Sequence, residues 1–177
     1  AAEAIWTRYM PSRKVIKELI DSGIIGTPAM LTASLCYDVA GKERILKPEL
    51  AGGALLDLGV YGINFALMCF GDQIERVESS VQMHPTGVDG MESITLFFQD
   101  RRAAVITAGI YSRSDRKGII HGDKGYMVVE NINNPQSVSV FDTKDNLVEK
   151  REFPQKVNGY EFQFEEIGAA FDAGKTQ

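Results

Sequence analysis

Asp57, Tyr61 and Asn64 stand at positions i, i+4 and i+7 of an otherwise apolar run, GGALLDLGVYGINFALMCFG (Gly52 to Gly71). On a helix that spacing stacks a carboxylate, a phenol and an amide along one narrow stripe. A rigidly held phenol beside a cleft can pass a proton to or from a substrate hydroxyl or carbonyl oxygen. Its unperturbed pKa of about 10 lies too high for that work at neutral pH, so a nearby positive charge is required. Asp57 cannot supply that charge; it can orient a substrate or a catalytic lysine. The alternative is a structural seam, because an unpartnered buried polar group costs roughly 1–3 kcal/mol and such groups usually find partners. In that account Asp57 accepts a bond from the backbone or an arginine. Both accounts stand at this level.

The elements around this helix follow from periodicity and punctuation. MPSRKVIKELIDSGIIGTP reads as a helix with Pro11 in its first turn, Val15, Ile16, Leu19 and Ile20 as its apolar stripe, and Gly23 as its stop. Ala29 to Tyr37 reads as a strand. DVAGKERILKPELAGG is a long polar loop leading into the central helix, taken as Gly53 to Phe70. Strand-rich segments follow, joined by short turns, from IERVESSVQM through LVEKREF. The chain closes on a helix in which Phe164, Ile167 and Phe171 share a face. About three helices with seven or eight hairpin-connected strands predict an α+β fold: an open, mostly antiparallel β-sheet with helices packed on one face.

Composition excludes several classes of function. The 177 residues suffice for one domain, and a formal charge of −5 argues against nucleic acid as a partner. The densest basic patch, RSDRK (Arg113 to Lys117), is interrupted by an acid and reads as a solvated turn. Asp57 and Asn64 interrupt the longest apolar run, so no membrane span is expected. The N-terminal residues lack the order of a secretory signal. Cys36 and Cys69 read as free thiols, which makes the cytoplasm the default location. Two histidines, His84 and His121, read as surface groups and cannot furnish a histidine-rich metal site; no metal is expected. There is no G-x-G-x-x-G, no phosphate-binding loop and no C-x-x-C, so no cofactor-binding residues are expected in this chain.

Four separate stretches carry a family resemblance: EAIWTRYMP (Glu3 to Pro11), GTPAMLTASL, PELAGGALLDLGVYGINFA (Pro48 to Ala66) and HGDKGYMVVEN. In their order they resemble the C-terminal portion of the glucose–fructose oxidoreductase, inositol dehydrogenase and rhizopine-catabolism (Gfo/Idh/MocA) family. The branch they look most like is that of dimeric dihydrodiol dehydrogenase and xylose dehydrogenase. The resemblance implies an N-terminal Rossmann domain that binds NAD or NADP and supplies a catalytic lysine from an E-K-P motif. That motif is not in this sequence. It implies that residues 1–177 form a single substrate-binding and dimerisation domain, either excised or part of a longer gene product, without activity or bound cofactor of its own.

Under the resemblance Tyr61 is the general acid/base and Asp57 the acid of the same motif. Trp6 and Arg8 match a segment at the substrate cleft; Asn64, from its place on the helical stripe, is a further substrate-binding candidate. Arg44 and Lys47, in the loop before the helix, are further candidates, with solvated loop charges as the plainer account. The substrate class implied is a sugar, polyol or diol. The competing expectations are a dimerisation module, its strands serving mainly as the face of a homodimer, or a sugar-binding module without redox chemistry.

Overall fold

The computed structural model describes residues 5–153 and 157–174. Helix α1 spans Ser12–Asp21 and buries Ile16 and Leu19. Strand β1 spans Pro28–Cys36, and Leu31, Ala33 and Leu35 alternate into the core. A loop of short 3₁₀ turns leads to the central helix. Then come β2 (Ile74–Met83), β3 (Asp89–Phe98), β4 (Ala103–Gly109), β5 (Gly118–Gly122), β6 (Gly125–Val129), β7 (Ser137–Asp142), β8 (Leu147–Glu152) and helix α3 (Glu161–Asp172).

The eight strands form one open sheet in the order β2-β3-β4-β1-β5-β6-β7-β8. Every neighbouring pair is antiparallel except β1 and β4, which run parallel from Met30 opposite Ala103 to Cys36 opposite Gly109. The expected α+β sheet is therefore present, with one parallel pair that hairpin spacing does not reveal. It arises because β1, first in the chain, is inserted between the β2–β4 and β5–β8 meanders. One face of the sheet, with Leu31, Ala33, Ile94, Leu96, Ala104, Ile106 and Ile120, is the core face beneath the helices.

The central helix is not uniform. Leu55–Gly59 forms a π-helical turn, and a regular α-helix, α2, continues over Val60–Phe70. Gly53 enters the turn with φ of 112°, where a Cβ would lie 2.0 Å from Asp89 Oδ1, so only glycine lets the chain pass that carboxylate. At Gly62 a Cβ would meet Ile106 Cγ2 at 2.5 Å, so α2 lies directly on β4. Phe65, Ala66 and Phe70 complete that buried face. The helical run Pro48–Phe70 is long and apolar enough to cross a membrane, although Asp57 and Asn64 argued otherwise. Half of it is buried against the sheet, which accounts for its apolar character.

Helix α3 is present as expected, and Phe164, Ile167 and Phe171 on it stand 73%, 38% and 81% exposed. One further expectation is revised. His121 sits in β5 rather than in a surface turn, half-buried against Tyr126, with its Nε2 lacking a partner among the described residues. The turn itself falls at Asp123 and Lys124.

Candidate active site

Tyr61 lies in the first turn of α2, half-buried against the edge of the core. A 3₁₀ turn, Trp6–Tyr9, crosses above it and brings Trp6, Thr7 and Arg8 to the same place. Trp6 is buried, at 6% exposure, and its indole N–H donates to the Tyr61 hydroxyl. The indole also stacks on Tyr160, just before α3, with ring centroids 4.4 Å apart. The phenol thus lies where the N-terminal turn, the central helix and the C-terminal segment meet.

Tyr61 lines a narrow crevice with Thr7, Arg8, Asn64, Ile132 and Pro135. Its cavity of about 10 Å³ holds roughly one water-sized group. Asn64 donates from Nδ2 to the Val60 carbonyl at 2.8 Å. Its carbonyl oxygen has no protein partner among the described residues. Arg8 and Asn64 also line a wider depression of about 300 Å³ with Arg13 and Asp72.

Burial raises the Tyr61 pKa, and the Trp6 hydrogen bond only partly opposes this. Tyr160, Asp57 and Tyr37 push it further upward. At neutral pH the group is a phenol and a proton donor. Among the described residues the only influence that lowers it is the Trp6 hydrogen bond.

The polar stripe is divided between two partners. Tyr61 and Asn64 face the crevice, whereas Asp57 forms an ion pair with Arg44 from the preceding loop. This is the arginine contact considered from the sequence, and it occupies both candidates. Lys47 pairs with Glu43 instead of facing the crevice. Trp6, Arg8, Asn64 and Tyr61 are therefore assembled in one place, while Asp57 acts on Tyr61 through its charge and Arg44 is held by Asp57.

Sequence reasoning missed Tyr37, Tyr160 and Thr7. Thr7 stands inside the motif around Trp6; Tyr37 and Tyr160 carry no local signal, since only the sheet order and the fold-back of α3 bring them near. RSDRK is also more than a solvated turn: Arg116 is half-buried and donates to the Tyr37 hydroxyl at 3.2 Å. No group of three or more His, Cys, Asp or Glu side chains that could hold a metal ion occurs among the described residues.

This open, mostly antiparallel sheet with helices over one face defines a class of domain. The family model described as the GFO/IDH/MocA C-terminal domain matches residues 14–128. The chain belongs to this family. Among curated relatives, it is 31% identical over 163 residues to mouse (Mus musculus) trans-1,2-dihydrobenzene-1,2-diol dehydrogenase, covering 92% of this chain and 47% of that protein. It is 34% identical over 128 residues to the zebrafish (Danio rerio) enzyme of the same name, covering 72% and 38%. The chain thus spans half or less of the length of these relatives.

A 3-ketoreductase from Actinomadura kijaniata, solved with NADP and TDP-benzene, superposes with a TM-score of 0.89 at 20% identity, covering 99% of this chain and 55% of that one. An aldose-aldose oxidoreductase from Caulobacter crescentus, solved with glycerol, gives 0.82 at 19% identity, covering 96% and 53%. At such identities these two establish the fold alone.

Proposed function

We propose that this chain is the substrate-side domain of an NAD(P)-dependent oxidoreductase acting on a sugar, polyol or diol, with Tyr61 as its proton-transfer group. The observation that carries this reading is the Tyr61 hydroxyl held by Trp6 at a crevice lined by Thr7, Arg8 and Asn64. The named relatives are dehydrogenases, and one structural neighbour is solved with NADP, which supports the reading. The sequence has no Gly-rich strand–turn–helix that could cradle a pyrophosphate, so a second domain holds the nicotinamide, and its binding falls outside this chain. When bound, the nicotinamide accepts or supplies the hydride at the substrate carbon.

This chain's part is the proton. For a ketone, the phenol donates to the carbonyl oxygen as negative charge develops there. For an alcohol, the phenolate must form first, and the raised pKa opposes that unless a cation from the other domain approaches. Trp6 fixes the direction of the hydroxyl. Arg8 and the free carbonyl of Asn64 offer a donor and an acceptor to flanking hydroxyls of a polyol. Asp57 sets the local charge while pairing with Arg44. A cytoplasmic setting is part of the proposal, since the two thiols are unpaired.

The test is Tyr61→Phe in the protein that joins this chain to its nucleotide-binding domain. The expected result is a fall in kcat of about 10²- to 10⁴-fold, with cofactor affinity retained. Undiminished turnover would remove Tyr61 from the chemistry and leave a sugar-binding module.

A second role, homodimerisation through the sheet, is favoured by one observation. The sheet face opposite the helices exposes Met30, Met91 and Val105 on neighbouring central strands. No described element covers them, and a second copy would complete such a face. Sedimentation distinguishes the cases: a stable dimer that Val105→Lys converts to monomer supports the role, and a monomer at all concentrations ends it.

A further inference from the structure

The loop between β4 and β5 carries a cluster that proton transfer does not use. Arg113, Ser114 and Arg116 line, with Tyr37, a cavity of about 180 Å³. That volume holds several water-sized groups. Ser114 pins the loop to β1: its hydroxyl accepts from the Cys36 N–H at 3.0 Å and the Arg116 N–H at 3.2 Å, and donates to the Ser34 carbonyl at 3.3 Å. Arg116 adopts φ of 61°, a left-handed conformation that non-glycine residues take sparingly. Its Nη1 donates to the Tyr37 hydroxyl, which in turn donates to Asn133 Oδ1 at 3.3 Å.

The electrostatics of this cluster are incomplete. Asp115, the acid within the basic patch, is taken by Lys117 at 3.5 Å. No carboxylate pairs with Arg113 or Arg116 among the described residues. A half-buried guanidinium is normally paired, because desolvating a charge is costly. Arg116 lines the cavity, its guanidinium lying 5.6 Å over the Tyr37 ring, and a planar donor fork of this kind suits a carboxylate or phosphate.

No residue lines both this cavity and the Tyr61 crevice, but neighbouring residues link the two. Asn133 belongs to the same loop as Ile132 and Pro135, which wall the Tyr61 crevice, and Tyr37 lies within electrostatic reach of the phenol. We propose that Arg116, with Arg113 at the rim, binds an anionic group on the substrate, a carboxylate or a phosphate, so that the preferred substrate is a sugar acid or a sugar phosphate. This inference rests on Tyr61 marking the substrate site.

Two measurements test it. In the protein joined to its nucleotide-binding domain, KM is measured for D-glucuronate, D-glucose 6-phosphate and D-glucose, before and after Arg116→Gln. The ratio of anionic to neutral KM should rise about 10- to 100-fold for one of the two anionic sugars, identifying carboxylate or phosphate. Equal wild-type KM values for all three, or an increase confined to the KM of the cofactor, would overturn the proposal. Independently of turnover, NMR titration of the 177-residue chain with the same sugars and with inorganic phosphate follows the Arg116 Nε–H signal. Saturable shifts with an anionic sugar, weaker with inorganic phosphate and absent with glucose, support the site. No shift with either anionic sugar refutes it, and shifts equal to those of inorganic phosphate reduce it to non-specific anion attraction. If Arg116 responds but Tyr61→Phe turns over normally, the proton-transfer reading fails and the anion site stands.

Discussion

The indole N–H of Trp6 donates to the phenolic oxygen of Tyr61, while the face of the same indole stacks on Tyr160 at 4.4 Å. One side chain thereby sets both the direction of the Tyr61 hydroxyl and the docking of the segment that precedes α3. Trp6→Phe separates these duties, because the stack is largely kept while the donor is lost. The Tyr61 titration, followed by NMR of the labelled ring, is expected to move upward, and stability to fall by about 0.5–1.5 kcal/mol. An unmoved titration would show that the hydrogen bond does not act on the phenol.

Asp57 raises the Tyr61 pKa through its charge, and its ion pair with Arg44 is well hydrated, the side chains being 25% and 55% exposed. Asp57→Asn should lower the Tyr61 titration. Its cost in folding stability should be small, on the order of 0–1 kcal/mol, because such pairs are screened by solvent. Urea unfolding and the ring titration together check both halves; a loss of several kcal/mol would make Asp57 a structural residue first.

Glu92 on β3 has its pKa raised to about 7, by burial first and then by the negative charge of Asp89, to which it is hydrogen-bonded. The folded state therefore holds a proton that the unfolded chain releases near the usual carboxylate value. The stabilisation linked to this proton is complete below the unfolded pKa and is lost as pH rises through about 7. Denaturant midpoints measured from pH 5 to pH 9 should fall across neutrality. Glu92→Gln should flatten that fall, and an unchanged slope would assign the pH dependence elsewhere.

Gly62 lets α2 lie on β4, and an alanine there would bring its Cβ within 2.5 Å of Ile106 Cγ2. Gly62→Ala should cost about 1–3 kcal/mol by overpacking, despite the better helix propensity of alanine. Adding Ile106→Ala opens the space, so the double variant should lose less than the sum of the two single changes. Strict additivity would mean that the helix shifts freely instead of being held against the strand.

The elements themselves were legible because their signals are local. The stripe of Ile16 and Leu19 marks α1, and the alternation of Leu31, Ala33 and Leu35 marks β1. The extent of β2 was read residue for residue from IERVESSVQM. The apolar side of α3 was equally visible, but whether anything covers Phe164 and Phe171 depends on neighbours that periodicity cannot name. The π-helical turn at Leu55–Gly59 was not legible either, since no residue type signals it, nor was the pairing of Asp57 with Arg44 outside the crevice that Tyr61 and Asn64 line.

By itself, the sequence determined the α+β class and the placing of a phenol on a covered helix, because side-chain spacing along one element is fixed by the geometry of that element; the family came from the resemblance of its motifs. Only the tertiary structure decided that β1 enters beside β4, that Trp6 and Tyr160 meet over Tyr61, and that Arg116 lies beside Tyr37 with no carboxylate to pair it among the described residues. Those juxtapositions join residues distant in the chain, and they are selected by the packing of whole elements, which no local pattern encodes.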